Sequence, residues 1–192
     1  QGQLISDIMR ERCISDNLII VENQPTTTKN RVIVQRQQII RFDEEDTGKL
    51  KEKHESLLKQ KIEKAIQTAN AFILSDYNKG VLNGDICQFI IGLCKSRNIP
   101  VFVDPKRKAW ERYRGATCIT PNIAEIEEVC GIKIGHSEEA LLDAAIQLKA
   151  QYDFDWFLAT RGSDGMCLIG PDSTPFFIKA MAREVFDVSG AG

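Results

Sequence analysis

The sequence lacks the features that mark membrane, secreted and nucleic-acid-binding proteins. Its longest apolar runs, at 18–21 and 71–74, are far too short to cross a bilayer. No basic segment followed by an apolar stretch opens the chain, as a secretion signal would require. Lysine and arginine (25) do not outnumber aspartate and glutamate (27), whereas a general nucleic-acid binder has a strong basic excess. These absences predict a cytoplasmic protein whose partners include neither nucleic acid nor a membrane.

The cysteines form no disulfide or metal-binding framework. There are six, no two are at C-x-x-C spacing, and the chain has only 2 histidines to join them as ligands. A structural zinc site is therefore not expected, and scattered thiols are typical of a reducing compartment. Cys87 and Cys94 lie in a predicted helix, where they are expected to be small buried side chains.

The composition is that of a globular protein with a hydrophobic core, because 43% of its 192 residues are hydrophobic and 27% are charged. The first 70 residues are predicted to contain both helices and strands, without a regular alternation. Their elements are a helix at 3–12, a strand at 18–21, a hairpin built on 32–34 and 39–40, and a long amphipathic helix at 47–69.

From residue 71 the pattern becomes regular, with apolar strands and helices in alternation. The predicted strands are 71–75, 101–104, 117–120 and 156–160, and the helices are 84–97, 123–130 and 137–152. Continuous apolar strands separated by helices predict an α/β fold with a mostly parallel sheet buried on both faces. Three further strands without helices between them are expected at 166–169, 175–179 and 184–186.

Each parallel strand is followed by a polar cluster, at 75–80, 104–106, 120–125 and 160–165. Any one of these clusters alone is explained as a turn, since Asp, Asn, Gly and Pro are good turn formers. Open parallel sheets bind ligands at the carboxyl ends of their strands. Four such clusters in succession therefore predict one composite site.

Asn122 and Glu125 allow two interpretations. They lie three residues apart at a helix start, so an amide and a carboxylate share one face and can hold a hydrated Mg²⁺ beside phosphates. The alternative is a capping box, in which the two side chains serve only the helix end.

The segment 187–192 reads Asp-Val-Ser-Gly-Ala-Gly and follows a predicted strand. Backbone N–H groups of Gly190, Ala191 and Gly192 can converge on phosphate oxygens, because no bulky side chain intervenes. A flexible glycine-rich tail is the alternative, and the segment matches neither the P-loop nor the dinucleotide-binding fingerprint.

Taken in order, these motifs resemble those of the ribokinase-like (PfkB) carbohydrate kinases. Asn122-x-x-Glu125 is similar to the family's metal and phosphate motif, and Thr160-Arg161-Gly162 to its nucleotide-binding T-x-G segment. The segment 187–192 resembles the start of its D-T-x-G-A-G-D signature. The resemblance implies a three-layer α/β/α fold with a mostly parallel central sheet and a small β-lid, here the hairpin at about 24–43.

Within that family the chain is most similar to the D-glycero-β-D-manno-heptose 7-phosphate kinases, which often form one half of a bifunctional protein with an adenylyltransferase. The segments that carry this similarity are 26–32, 37–43, 75–80, 104–106, 112–117, 120–122 and 183–192. They cover nearly the whole chain.

The resemblance implies ATP-dependent phosphorylation of the 1-hydroxyl of a heptose 7-phosphate, a step in ADP-heptose and lipopolysaccharide core synthesis. ATP and Mg²⁺ would be bound by Asn122, Ile123, Ala124, Glu125, Thr160 and Gly162, with Mg²⁺ held through water by Asn122 and Glu125. Gly190, Ala191 and Gly192 would form an anion hole, and Asp187 would help to hold K⁺.

The substrate carries its own phosphate, so cationic residues are expected near the sugar. Lys29 and Arg31 lie two residues apart on one face of a strand, and Lys106 is a third candidate. A solvated surface charge is the alternative for each of them. Lid strands in this family commonly pair between subunits, which implies a homodimer.

The chain also departs from the family. The catalytic Asp that follows G-A-G would come after Gly192, where this sequence stops. An N-terminal sugar-binding part and C-terminal helices are not recognised either, so 1–192 is interpreted as a fragment of one kinase domain that does not turn over alone. Ser189 replaces the commoner Thr, and Asn78 stands where the branch usually has Gly. Two other functions stay open, a fructokinase-like sugar kinase and a non-catalytic nucleotide-binding module.

Overall fold

The computed structural model describes residues 2–15, 17–22, 24–35, 37–106 and 108–181. They belong to two compact units, Gln1–Lys64 and Ala65–Gly192. The first unit contains helix α1 (Gly2–Glu11), strands β1 (Thr28–Val34) and β2 (Gln37–Glu44), and most of helix α2 (Glu52–Ala65).

The predicted hairpin is confirmed. β1 and β2 pair antiparallel, with Arg31 opposite Arg41 and Val32 opposite Ile40. The register shifts by one residue after Val32, as in a β-bulge. Almost every residue of both strands is exposed, so this two-stranded sheet has no core of its own.

Two predictions for the first unit were wrong in part. Residues 18–21 form no strand, and Ile20 is 86% exposed. Helix α2 begins at Glu52 instead of residue 47, because the Asp46 carboxylate accepts a hydrogen bond from Gly48 N (2.8 Å) and forms a local turn there. The helix ends at Ala65, four residues earlier than predicted.

The second unit has the predicted alternation of strands and helices. Its strands are β3 (Phe72–Ser75), β4 (Val101–Asp104), β5 (Cys118–Ile119), β6 (Trp156–Thr160), β7 (Met166–Ile169) and β8 (Pro175–Ile178). Its helices are α3 (Gly84–Lys95), α4 (Ile123–Cys130) and α5 (Glu138–Tyr152). The predicted strand at 184–186 lies outside the described residues.

The six strands form one sheet in the order β3-β4-β5-β6-β7-β8. The first four are parallel, and β7 and β8 are antiparallel to their neighbours. The prediction of an α/β fold with a mostly parallel sheet and a separate small antiparallel sheet is therefore confirmed. The parallel part matters most for function, because it places the ends of β3 to β6 side by side.

One face of the sheet is the core of this unit. Its residues lie in register across the strands and are nearly inaccessible to solvent: Leu74, Val103, Ile119, Phe157 and Ile169. The fully buried Trp110 packs against Phe157 with ring centroids 6.2 Å apart. Cys87 and Cys94 in α3 are fully buried, as predicted, and all six cysteines are free thiols.

The opposite face is less completely buried than expected on the side of β3 and β4, although Cys118 on the same face is only 6% exposed. Ile73 and Phe102 are paired neighbours on this face, and Ile73 is 74% exposed. Within the described residues, β3 and β4 thus bury the apolar side chains of one face and leave those of the other face partly exposed. Of the helices in the described part of the chain, none is long and apolar enough to cross a membrane.

Candidate active site

The carboxyl ends of the four parallel strands meet at one edge of the sheet. Backbone hydrogen bonds join the chain just past them: Asp76 N donates to Asp104 O (3.0 Å), and Thr160 N donates to Pro121 O (2.8 Å). The second bond belongs to a short parallel bridge between Asn122 and Thr160. The Asn122 and Thr160 motifs are thereby brought together, as the composite-site prediction requires.

Asn122 and Glu125 form a complete capping box at the start of α4. Asn122 Oδ1 accepts from Glu125 N (2.9 Å), and Glu125 Oε2 accepts from Asn122 N (3.0 Å). Of the two interpretations of this pair, a Mg²⁺ site and a capping box, the structure shows the capping box directly. It does not remove the other role, because Glu125 Oε1 lies on the far side of the carboxylate.

Lys106 lies beside this second oxygen. Its Nζ is 3.9 Å from Glu125 Oε1, and Glu125 is 5% exposed whereas the lysine side chain is half exposed. The predicted Lys106 thus belongs to the same group of charges as the Asn122–Glu125 motif. It is held near the buried carboxylate at the end of β4.

Direct coordination of a metal by several side chains is not formed in the described part of the chain, where no three His, Cys, Asp or Glu residues cluster suitably. Mg²⁺ does not need such a cage, since it keeps several waters and is usually bound by one or two carboxylates plus substrate phosphates. One buried carboxylate, Glu125, with an adjacent amide fits a hydrated Mg²⁺ that arrives with phosphates.

A cleft of about 320 Å³ opens beside the start of α4. Five of the six predicted nucleotide- and Mg²⁺-binding residues line it: Asn122, Ile123, Ala124, Thr160 and Gly162. The sixth, Glu125, is buried behind them. Ile123 and Ala124 are the first residues of α4, and the first N–H groups of a helix lack partners within the helix and favour anions.

The turn between β6 and β7 is tightly fixed. Arg161 N donates to Gly165 O (2.8 Å), and Gly165 has a φ of +89°. A Cβ atom on Gly165 would overlap the carbonyl oxygen of Ile178 on β8. Gly162 also has a positive φ (+55°), but the space beside it is open. Glycine is therefore required at 165 by packing, whereas at 162 the requirement comes from the backbone conformation.

Sequence reasoning missed a histidine–carboxylate pair at this cleft. His136 Nδ1 is 2.6 Å from Asp164 Oδ2, and both residues line the cleft. Nothing in the sequence signals this pair, because the two residues are 28 positions apart and belong to different loops. Only the topology brings the loop after α4 next to the turn after β6.

A buried polar network stands at the end of β3. The Asp76 carboxylate accepts hydrogen bonds from Tyr113 Oη, Arg112 Nη1 (3.2 Å) and Asn78 N (2.6 Å). Burial and the neighbouring Asp76 raise the pKa of Tyr113, so its hydroxyl stays a donor. Asn78 has a φ of +54°, a conformation that Asn tolerates better than most residues.

Lys29 and Arg31 lie on one face of β1 in the first unit. Asp43 and Arg41 on β2 are opposite them. Arg41 forms a bidentate ion pair with Asp43, which raises the pKa of the guanidinium. The face therefore carries three cationic side chains and one carboxylate. The remaining predicted site residues, Asp187, Gly190, Ala191 and Gly192, lie outside the described residues.

Comparison with known sequences gives a consistent result. The profile of the pfkB family carbohydrate kinases matches residues 1–192. The bifunctional protein HldE of Haemophilus influenzae is 38% identical over 192 residues, which is all of this chain and 39% of that protein. HldE of Rhodospirillum rubrum is 39% identical over 191 residues, 38% of its length. The chain thus spans about 39% of the length of these curated relatives.

Comparison with solved structures supports the same fold. Phosphofructokinase-2 from Escherichia coli in complex with potassium superposes with a TM-score of 0.77 over 95% of this chain and 59% of that one, at 12% identity. Ribokinase from Giardia lamblia gives a TM-score of 0.74 over 96% of this chain and 57% of that one, at 14% identity. At such low identities the likeness establishes a ribokinase-like fold and nothing about substrate.

Proposed function

Because the chain belongs to the pfkB family of carbohydrate kinases, we propose that it is part of a kinase that uses ATP to phosphorylate the 1-hydroxyl of D-glycero-D-manno-heptose 7-phosphate. The observation that carries the proposal is the joining of Asn122 to Thr160 by a β-bridge beside one cleft. The family resemblance assigns both motifs to nucleotide binding. The similarity of the chain to the heptose kinase branch is the basis for the proposed sugar substrate. The proposed place in lipopolysaccharide precursor synthesis follows from that substrate.

In this proposal the cleft holds the phosphates of ATP. Ile123 and Ala124 supply backbone N–H groups at the positive end of α4, and Thr160 and Gly162 line the same cleft. Asn122 and Glu125 would hold Mg²⁺ through its water shell. When bound, the ion neutralises charge on the nucleotide phosphates.

The chemical step is an in-line phosphoryl transfer. The oxygen of the sugar 1-hydroxyl bonds to the γ-phosphorus of ATP, the bond to ADP breaks, and the hydroxyl proton passes to the aspartate that the family places after G-A-G. The backbone N–H groups of Gly190, Ala191 and Gly192 would stabilise charge on the transferring group. We assign Asp187 to a monovalent cation, K⁺, on the resemblance alone.

The cationic face of the hairpin is assigned to the phosphate of the sugar. Lys29 and Arg31 share this face with Arg41, whose charge is largely balanced by Asp43. One side of the two-stranded lid thus displays three cationic side chains and one carboxylate. Lys106, beside Glu125 at the end of β4, is the third substrate-binding candidate.

We also propose that the hairpin pairs with a second copy of the chain. The face opposite the charges bears Val32, Ile40 and Phe42, all largely exposed. A two-stranded hairpin is marginally stable alone, and burial of this apolar face in a homodimer would stabilise it.

The test of the kinase is ADP release by the complete natural protein with Mg-ATP. The panel is the heptose 7-phosphate, fructose 1-phosphate, fructose, ribose and adenosine. Preference for the heptose phosphate is expected. Preference for an unphosphorylated sugar would keep the family and overturn the substrate, and nucleotide binding without any turnover would indicate a binding module.

A double variant, Lys29→Ala/Arg31→Ala, tests the phosphate-binding face. The KM for the heptose phosphate should rise about tenfold or more, since a hydrogen bond to a charged group contributes roughly 1.5–3 kcal/mol. The KM for ATP should not change. The matched control, Lys51→Ala/Lys53→Ala, removes two lysines just before and within α2 and should leave both KM values unchanged.

A further inference from the structure

His136 and Asp164 connect two loops on the rim of the cleft. His136 lies in the loop between α4 and α5, and Asp164 lies in the turn between β6 and β7. The 2.6 Å contact between Nδ1 and Oδ2 ties these loops together where both line the cleft. The pair is absent from the motifs that the family resemblance supplies.

The loop that carries His136 is held in place by a carboxylate of α4. Glu127 Oε1 accepts hydrogen bonds from Ile134 N (2.7 Å) and Gly135 N (2.9 Å), directly before His136. These bonds lower the pKa of Glu127, so the carboxylate that anchors the loop stays charged well below neutral pH. The position of His136 is therefore fixed by the bonds to Glu127 just before it and by its own contact with Asp164.

Several other charged groups lie near the pair. Arg161 also lines the cleft, but its Nη1 lies 3.0 Å from Glu138 Oε1, and its guanidinium lies over the Phe177 ring at 5.1 Å. The charged groups surrounding His136 are Asp164 and Arg161 from the β6–β7 turn, Glu127 from α4, Lys133 from the loop and Glu138 from α5. Arg161 and His136 are the two basic side chains among the described residues that line the cleft.

The pairing orients the imidazole ring. The hydrogen bond from His136 lowers the pKa of Asp164, so this carboxylate is ionised throughout the neutral range. With Nδ1 directed at Asp164, Nε2 is the remaining polar atom of the ring, and the side chain is 88% exposed. The carboxylate accepts the Nδ1 proton and so fixes the orientation of the ring. Nε2 is then an acceptor in the neutral ring and a directed donor in the protonated ring.

We propose that His136, oriented by Asp164, donates in its protonated form a hydrogen bond from Nε2 to a phosphate group of the nucleotide in this cleft. The inference rests on the proposed kinase function and adds a binding residue to it. His136 is the binding residue and Asp164 is a positioning residue. An anionic ligand is favoured because the cleft already combines the positive end of α4 with this basic side chain.

The test is calorimetric titration of the complete natural protein with ADP and Mg²⁺ at about pH 6 and about pH 8, the range in which histidine changes charge. His136→Gln keeps a donor but cannot carry charge, so the wild-type protein should gain about 3- to 10-fold more affinity than this variant on going to the lower pH. The phosphates of ADP also change their charge in this pH range, but they do so equally with both proteins, so this effect cancels in the comparison. Adenosine, which has no phosphate, should bind both proteins equally.

Asp164→Asn tests the positioning role. It should weaken ADP binding less than His136→Gln does and should reduce the difference between the two pH values. Asp172→Asn is the matched control, because Asp172 is another exposed carboxylate whose pKa is lowered by a local hydrogen bond, from Thr174 in the β7–β8 turn. This control should behave as the wild type.

The possible outcomes distinguish failure of the His136 proposal from failure of the proposed kinase function. If ADP binds with the same pH dependence to the wild type and to His136→Gln, the inference is wrong and the kinase proposal stands. If both variants lower the melting temperature but leave ADP affinity unchanged, the pair is a structural link only. If the wild-type protein binds no ADP at either pH, the proposed function itself fails.

Discussion

The two compact units use their apolar residues in opposite ways. In the hairpin of the first unit, Val32, Ile40 and Phe42 face outward from a sheet only two strands wide. In the second unit, residues such as Val103 and Phe157 are fully buried at the centre of a six-stranded sheet. The comparison indicates that the residues of the candidate site are supported by a hydrophobic core in their own unit. The hairpin has no such core, and its stability is expected to depend on what covers it.

Truncation of Trp110 should show the largest contrast. Trp110 is fully buried between Tyr152 and Phe157, so Trp110→Ala is expected to lower the free energy of unfolding by roughly 3–5 kcal/mol. Val32→Ala in the hairpin should cost under about 0.5 kcal/mol. Urea unfolding followed by circular dichroism measures both, and similar losses would remove the distinction between the units.

Trp110 also offers a finer variant. Its indole Nε1 has no hydrogen-bond partner among the described residues. Trp110→Phe therefore removes no hydrogen bond and should cost clearly less than the alanine variant.

The next largest effect is expected at Asp76. Asp76→Asn removes the charge that faces the partly buried Arg112 and replaces an acceptor of the Tyr113 hydroxyl with an amide. We expect a loss of about 3 kcal/mol, the cost of breaking one partner out of a buried ion pair. Asp104→Asn, at the exposed end of the adjacent strand, should cost under about 0.5 kcal/mol in the same measurement.

Substitutions in the capping box separate a helix-capping role from a ligand-binding role. Asn122→Ala should cost about 1 kcal/mol, as for other N-cap residues. Glu125→Gln should cost little, because Gln also completes a capping box, yet it removes the charge proposed to hold hydrated Mg²⁺. Titration of ADP with and without Mg²⁺ should therefore show a smaller Mg²⁺ dependence in Glu125→Gln, and an unchanged dependence would leave Glu125 a capping residue only.

The smallest effect on stability is expected in the hairpin. Phe42→Ser should change the free energy of unfolding of a monomer by under about 0.5 kcal/mol, because the ring is already exposed. It should nevertheless shift the complete protein from dimer to monomer in sedimentation velocity. A wild-type protein that is monomeric at micromolar concentration would contradict the proposed pairing.

The fold of the second unit was largely predictable because its signals are local and agree with one another. The bounds of β4, β6, β7 and α4 are those predicted from apolar runs, glycine and the Asn122 cap. The short β5 lost one residue at each end of its predicted range. Its boundaries depend on pairing with β4 and β6, which the sequence does not display.

Where prediction failed, a contact distant in the chain or a competing local bond was responsible. The apolar residues around Ile20 resemble a strand in the sequence, but the structure assigns no strand to 18–21. The start of α2 is delayed by a side-chain hydrogen bond at Asp46. The exposure of Ile73 could not be predicted from the sequence either, because an apolar strand has the same sequence pattern whether one or both of its faces are covered.

The candidate site shows the same division. Asn122, Thr160 and Gly162 were identified from short motifs, and their meeting in one cleft followed from the topology of a parallel sheet. His136 and Asp164 were missed because their relation is purely spatial.

The crowding at Gly165 has a consequence for how this cleft can change by mutation. Since any side chain there would collide with the backbone of β8, a library randomised over 160–166 should return glycine at 165 in every folded clone. Ser163, an exposed residue of the same turn, should accept most amino acids. Variation in the ligand that this cleft accepts can therefore arise around this turn only through the residues that flank one invariant position.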